Sequence, residues 1–328
     1  MPKLSPKLKM LDKEKIAKIN PETLSLYEKY HMNMSIRELS EKTIYGYYND
    51  LANWWIYILD YQDNKSVLEI NEEDISEFIV YCKMKGNNTN RIKRRLSSIS
   101  AFYLFLRKKK LIHENPVEFI DRPKHSQAIV TQTFLTEDQV FQMRQYLQEQ
   151  INVSKTVASK HTALVMQLYV LFSLSTMARV NAISNVKWTQ IDFEDRVAEG
   201  VLEKEGYITD LYFSEEVCRL LKNLQDFRRD NNLNDGGYVF ISKSYESPQP
   251  ISKTTLSNYC KQIGKNIGVP TLHPHDFRHS AATIRKNAGE PLEDISYLLN
   301  HKSTDVTRRF YIKEDKTKIR ANKDKYEF

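Results

Sequence analysis

The sequence predicts a mostly α-helical protein with one small β-sheet, divided between two domains. Three observations lead there. Nine glycines and ten prolines are all that interrupt 328 residues, and apolar residues recur at helical spacing through most of the chain. One stretch, WTQIDFEDRVAEGVLEKEGYITDLYFS, shows strand-like alternation with turn residues between its halves. The length suits two domains, each able to bury its own core, and the polar segment RPKHSQAIVTQT separates them.

Taken in order, the elements follow from local chemistry. Ser40 is expected to cap a helix reaching about Leu59, with Tyr47, Leu51, Trp54, Trp55 and Ile58 on its inner face. Asn71 caps the next; Glu72, Glu73 and Asp74 suit the positive end of its dipole, and Ile75, Phe78, Ile79 and Cys82 turn inward before Gly86 ends it. Asn88 or Thr89 starts a third helix, which carries Arg91, Lys93, Arg94 and Arg95 first and Leu96, Ile99, Phe102, Tyr103 and Leu106 later. Beyond the connector Thr136 caps a helix, and an apolar helix covers roughly residues 161–175. Tyr238 to Ile241 reads as one further short strand, and the chain from Thr254 onward as helix broken at Pro270, Pro274 and Pro291.

Composition narrows the function. The formal net charge is +7, with most of the excess in the first 133 residues, so a polyanionic partner is favoured and nucleic acid ranks first. The greasiest segment, Leu164 to Leu174, contains Gln167 and is too short to span a bilayer. The basic N-terminus lacks the apolar stretch of a secretory signal. Three scattered cysteines, Cys82, Cys218 and Cys260, give no support to a disulfide framework or a zinc site. An intracellular, non-membrane protein without a bound metal is expected.

The chemistry concentrates in HPHDFRHSAATIRKNAGEPLEDISYLLNHKSTDVTRRFY, residues 273–311. His275 and Arg278 lie three apart and share a helix face. His301 and Tyr311 follow, while Arg179 and Lys204 stand upstream. Such a set suits attack on a phosphodiester. Two guanidiniums clamp the non-bridging oxygens as charge builds, and histidines move a proton to or from the nucleophile. A lysine protonates the departing sugar oxygen, and arginines make a tyrosine oxygen usable as nucleophile.

These segments resemble the tyrosine recombinase (phage integrase) family. TMARVNAISNVKWTQID is similar to its first arginine motif, HPHDFRHSAAT to its His-x-x-Arg motif, and LLNHKSTDVTRRFY to the segment carrying the third histidine and the nucleophile. SIRELSEKTIYGYYNDLANWWIYI through NRIKRRLSSISAFYLFLRKKKLIHENP is similar to its helical core-binding domain. The resemblance spans about residues 36 to 315. It implies a C-shaped clamp made of a helical core-binding (SAM-like) domain and an α+β catalytic domain. The corresponding boundaries are residues 1–35 for an N-terminal helical extension, 36–124 for the core-binding domain, 125–133 for a linker and 134–328 for the catalytic domain with its tail.

Carried over position by position, Arg179 and Arg278 become the phosphate clamp, His275 the proton-handling partner and His301 the second histidine. Lys204, in the turn of the β-hairpin, becomes the general acid and Tyr311 the nucleophile that forms a 3′-phosphotyrosyl link. Lys42, Arg91, Lys93, Arg94 and Arg95 become DNA contacts. Also implied are double-stranded DNA as partner, dimers or tetramers on paired half-sites with Lys316 to Phe328 as exchanged tail, no cofactor, and a cytoplasmic protein encoded by a bacterium, phage or mobile element. The chain differs from the family pattern in four places. Met177-Ala178 replace Gly-Leu, Ala182 stands where an acid is usual, Asn300 replaces Gly, and Tyr311 lies one residue beyond the usual position, which Phe310 occupies.

Structural roles remain open at each residue. Arg179 could satisfy helix carbonyls, His275 and Arg278 could be a hydrogen-bonding pair, and Lys204, beside Glu203 and Glu205, could be a solvated lysine. His301 could cap or pack, and Tyr311 could be a core or tail-anchoring aromatic. A second function also fits: a sequence-specific DNA-binding repressor on a recombinase fold that no longer cuts.

Overall fold

The computed structural model describes residues 11–124, 134–203, 206–242, 245–300, 304, 305 and 307. The chain divides into two units, Met1–Ile129 and Val130–Phe328.

In the first unit the helices are α1 (Lys13–Ile16), α2 (Pro21–Ile36), α3 (Glu41–Tyr61), α4 (Glu72–Met84) and α5 (Thr89–Lys108). Their starts are set by side-chain caps. The Ser40 hydroxyl accepts from the Thr43 amide at 3.2 Å, and Asn88 accepts from the Arg91 amide at 2.9 Å. Asn71 and Asp74 form a reciprocal capping box, so two otherwise orphaned amide donors are satisfied at once. Trp54 and Trp55 sit fully inside the core with Phe78, Phe102 and Tyr103. Residues Leu26, Tyr30 and Met34 of α2 enter the same core, so part of the segment read as an extension is built into this unit.

The second unit holds α6 (Glu137–Asn152), α7 (Val157–Thr176), α8 (Val180–Ser184), α9 (Glu215–Asp230), α10 (Lys253–Asn266), α11 (Pro274–Asn287) and α12 (Leu292–Leu298). Thr136 and Gln139 form the capping box that opens α6. Helix α7 begins earlier than its apolar run because Thr156 and Ser159 make another. It is long and apolar enough to cross a membrane, but it is the central core helix here, packed by α6, α9 and α11 with Val165 to Phe172 buried.

The sheet is antiparallel in the order β1 (Ile191–Asp192), β2 (Val197–Leu202), β3 (Ile208–Tyr212). Val197 pairs with Tyr212 and Val201 with Thr209, with an irregularity at Glu199-Gly200 between them. Tyr238 to Ile241 is not a strand: Tyr238 and Ile241 make only isolated bridges, to Lys187 and Pro250. Pro274 opens α11 rather than breaking it, as suits a residue with no amide to donate. In α10, a Cβ on Gly264 would stand 2.2 Å from the Val269 carbonyl oxygen. The missing side chain lets the 269–272 turn pass close and deliver His273 to the start of α11.

Candidate active site

Helix α7 ends at Met177, whose φ of 52° is left-handed and whose side chain is buried with Ala281, Ala282, Ile295 and Leu299. That reversal redirects the chain, so Arg179 does not terminate α7; it is the N-cap residue of α8. The Arg179 guanidinium ion-pairs with Glu203, at the end of the sheet's second strand. Glu203 has only 2% of its side chain exposed, whereas Arg179 keeps 32%. Asn300 donates to the same Glu203 oxygen from 3.3 Å.

Arg278 rises from the middle of α11 and is 1% exposed. One Nη donates to the Met177 carbonyl at 2.5 Å, and the other donates to the Leu299 carbonyl. Both carbonyls belong to helix C-caps, where unpaired oxygens and the negative dipole end favour a cation. A single guanidinium thus ties together the segment that precedes Arg179 by two residues and the segment that precedes His301 by two.

His275 lies at the surface of the first turn of α11. Its pKa is lowered, first by partial desolvation, then by Arg278, His273 and Arg179, against the opposing Asp276. The imidazole is therefore held neutral at neutral pH, with one ring nitrogen able to accept a proton. His273 goes the other way. Its Nδ1 is 2.5 Å from the fully buried Asp276 carboxylate, which raises its pKa. His279 is driven down to about 4, by burial first and by His275 next. Among the described residues, no three His, Cys, Asp or Glu side chains group as metal ligands.

Three of the six expected catalytic residues are thus brought together: Arg179, His275 and Arg278. Lys204, His301 and Tyr311 lie outside the described residues, but Glu203 and Asn300, the neighbours of Lys204 and His301, meet each other at Arg179. Glu203 was not singled out by the motifs, although the missing acid at Ala182 leaves Arg179 wanting a carboxylate. Both substitutions for family glycines fall on left-handed residues: Met177, and Asn300 with φ of 49°. Asn adopts that conformation readily, whereas Met does so at a cost offset here by burial.

The expected DNA contacts divide. Lys42 is exposed, in an open groove of about 850 Å³ with Tyr27, His31, Tyr45 and Tyr48. Arg91 and Lys93 are partly exposed. Arg94 is exposed but bound to the buried Asp50 at 2.5 Å, and Ser98 donates to the other Asp50 oxygen. Arg95 is a correction: it is 5% exposed, with Nη1 donating to the Cys82 sulfur at 3.2 Å. It lies three residues after Ile92 and four before Ile99, on the inward arc of α5, so its charge is turned from any ligand on the outer face.

Comparison with known proteins agrees with this architecture. The model of the phage integrase family matches residues 133–318, and that of the phage integrase N-terminal SAM-like domain matches 26–110. A tyrosine recombinase XerC of Pediococcus pentosaceus is 26% identical over 315 residues, covering 93% of this chain and 97% of its own. One of Bacillus licheniformis is 27% identical over 83% of this chain and 86% of its own. Among solved structures, the Tn1549 transposon integrase in complex with circular intermediate DNA superposes with a TM-score of 0.65 at 19% identity, covering 91% of this chain and 97% of that one. A lambda integrase dimer bound to a COC′ core site gives 0.66 at 18% identity, over 88% and 94%. These likenesses share the two-domain fold, and the family match covers more than half the sequence: this chain belongs to the phage integrase, or tyrosine recombinase, family.

Proposed function

We propose that this protein is a site-specific DNA recombinase that cuts and rejoins strands through a 3′-phosphotyrosyl intermediate. The observation that carries the reading is the meeting of Arg179, His275 and Arg278 in one place from segments about a hundred residues apart. Arg179 and Arg278 neutralise charge on the phosphate as it becomes five-coordinate. Tyr311 attacks phosphorus and passes its proton to His275, whose lowered pKa keeps the imidazole neutral with a ring nitrogen free to accept it. The bond to the 5′ oxygen breaks, and Lys204 supplies the proton this oxygen needs. His301 assists in holding the phosphate. Rejoining runs the same steps backward with a 5′-hydroxyl as nucleophile, so the phosphodiester bond energy is conserved and no nucleotide is consumed.

Double-stranded DNA is the proposed partner. The related lambda integrase is seen as a dimer on a core site and as a tetramer on a Holliday junction, which supports assembly of this chain on DNA. Exposed Lys42 and the partly exposed Arg91 and Lys93 are proposed contacts to the duplex, acting in the cytoplasm of a bacterial host.

Selection from a random-sequence duplex pool supplies the target site. The protein is then incubated with a nicked suicide duplex of that sequence and run on a denaturing gel. A DNA-linked band that disappears in Tyr311→Phe is the expected result. Sequence-selective, salt-sensitive binding without a linked band at any tyrosine would favour the repressor function instead.

A further inference from the structure

We infer that Glu203 is a positioning residue of the phosphate clamp: its buried carboxylate holds the Arg179 guanidinium by one nitrogen and ties the end of β2 to the segment after α12. The inference rests on the recombinase reading for its consequence in cleavage, but its geometric part stands alone. Glu203 is 4% exposed overall, and its carboxylate has two donors from distant segments, Arg179 and Asn300. Its amide also donates to the Tyr207 carbonyl at 2.8 Å, closing the base of the β2–β3 connection.

A buried carboxylate is tolerated only when paired, so this contact is strongly held once formed. It engages a single Arg179 nitrogen, Nη1. Arg179 makes no other hydrogen bond among the described residues and retains 32% exposure. Guanidinium is planar with five donors, so fixing Nη1 sets the direction of the remaining edge, Nε and Nη2, which stays able to take two phosphate oxygens. Because Glu203 immediately precedes Lys204 and Asn300 immediately precedes His301, one carboxylate sets the spacing of three segments that carry the chemistry. The acid usual three residues after the first arginine is absent here, since Ala182 is buried and apolar. Glu203 supplies the missing charge from another element, 24 residues along the chain.

The test compares native protein with Glu203→Gln, an isostere without charge, and Glu203→Asp, which keeps charge with one methylene less reach. Two readouts are taken on the full chain. The first is the single-turnover cleavage rate on the suicide duplex at saturating protein, with DNA affinity measured separately. The second is the ¹⁵N spectrum of the free protein, in which a held Arg179 gives resolved, slowly rotating Nη–H signals, assigned by their loss in Arg179→Lys.

Glu203→Gln is expected to lose those signals and to slow cleavage at least tenfold while DNA affinity stays within twofold, and Glu203→Asp to recover part of both. A native-like rate with native-like signals in Glu203→Gln overturns the inference and leaves the recombinase reading intact. Faster cleavage or tighter binding in that variant also overturns it, since the carboxylate would then be blocking Arg179. If native protein forms no adduct at all yet the signals vanish in Glu203→Gln, the recombinase reading falls and the positioning stands. Should Gln at 203 fail to fold, Glu203→Asp decides: full cleavage without the Arg179 signals overturns the inference.

Discussion

Arg278 offers a prediction whose size can be worked from its surroundings. Its guanidinium is 1% exposed, and two of its nitrogens donate to the carbonyls of Met177 and Leu299. Each charge-assisted hydrogen bond of this kind contributes about 1.5–3 kcal/mol. Truncation in Arg278→Ala removes both and leaves two buried C-cap carbonyls unpaired, a loss of about 4 kcal/mol. For a unit of this length the melting temperature moves by about 2–4 °C per kcal/mol, so a fall of about 10 °C is expected by calorimetry. Arg278→Lys keeps the charge but has one nitrogen to span two acceptors, and should lose about half as much. If Arg278→Ala melts within about 2 °C of native protein, the brace contributes nothing and the convergence argued from it is unsupported. The same brace means that lost activity in Arg278 variants is interpretable only beside their stability.

Two further outcomes follow from charges away from the site. His161 is buried, accepts from the Arg228 Nε at 3.1 Å and has its pKa pushed from 6.5 to about 4 by burial first and Arg228 next. Its neutral form is the one folded protein favours, so its contribution is complete above pH 6.5 and is lost as pH falls toward 4, by about 3 kcal/mol in all. Urea denaturation at pH 7 and pH 4.5 should show a shallower acid loss in His161→Gln, part of the slope persisting through His279; an unchanged slope refutes the assignment. In the first unit, Arg95→Met should leave stability within about 1 kcal/mol and the salt dependence of DNA binding unchanged. Arg91→Ala or Lys93→Ala should each lower the log–log salt slope by about one; a similar fall in Arg95→Met would contradict its inward placement.

Much of the fold is legible in the sequence because local chemistry decides it. Ser40, Asn71, Asn88 and Thr136 start helices as their side-chain oxygens dictate, and the only run of strand-like alternation is the sheet. The start of helix α7 is not legible from apolar periodicity, because Thr156 and Ser159 form the cap and the apolar run begins later. Tyr238 to Ile241 has strand composition but pairs only at isolated positions, a choice made by tertiary neighbours. Arg95 is legible as an inward residue from its spacing to Ile92 and Ile99, although its charge suggests an outer face. At the site, Arg179, His275 and Arg278 are carried by motifs, whereas the Arg179–Glu203 pair is a long-range contact with no local pattern. The left-handed residues Met177 and Asn300 explain why those positions usually hold glycine, and a departure from glycine is visible in sequence before its conformational meaning is.

The central claim, that two guanidiniums offset the charge of one DNA phosphate, is tested most directly by removing that charge from the DNA. A suicide duplex carrying a neutral methylphosphonate at the cleavage position is compared with the ordinary phosphate, using native protein and Arg179→Ala. The folded fraction of each protein is the same for both duplexes, so stability effects cancel. Arg179→Ala should slow scission by about 10²–10³ on phosphate but by less than about tenfold on methylphosphonate, each relative to native protein on that duplex. Equal losses on the two would mean that Arg179 does not answer the phosphate's charge.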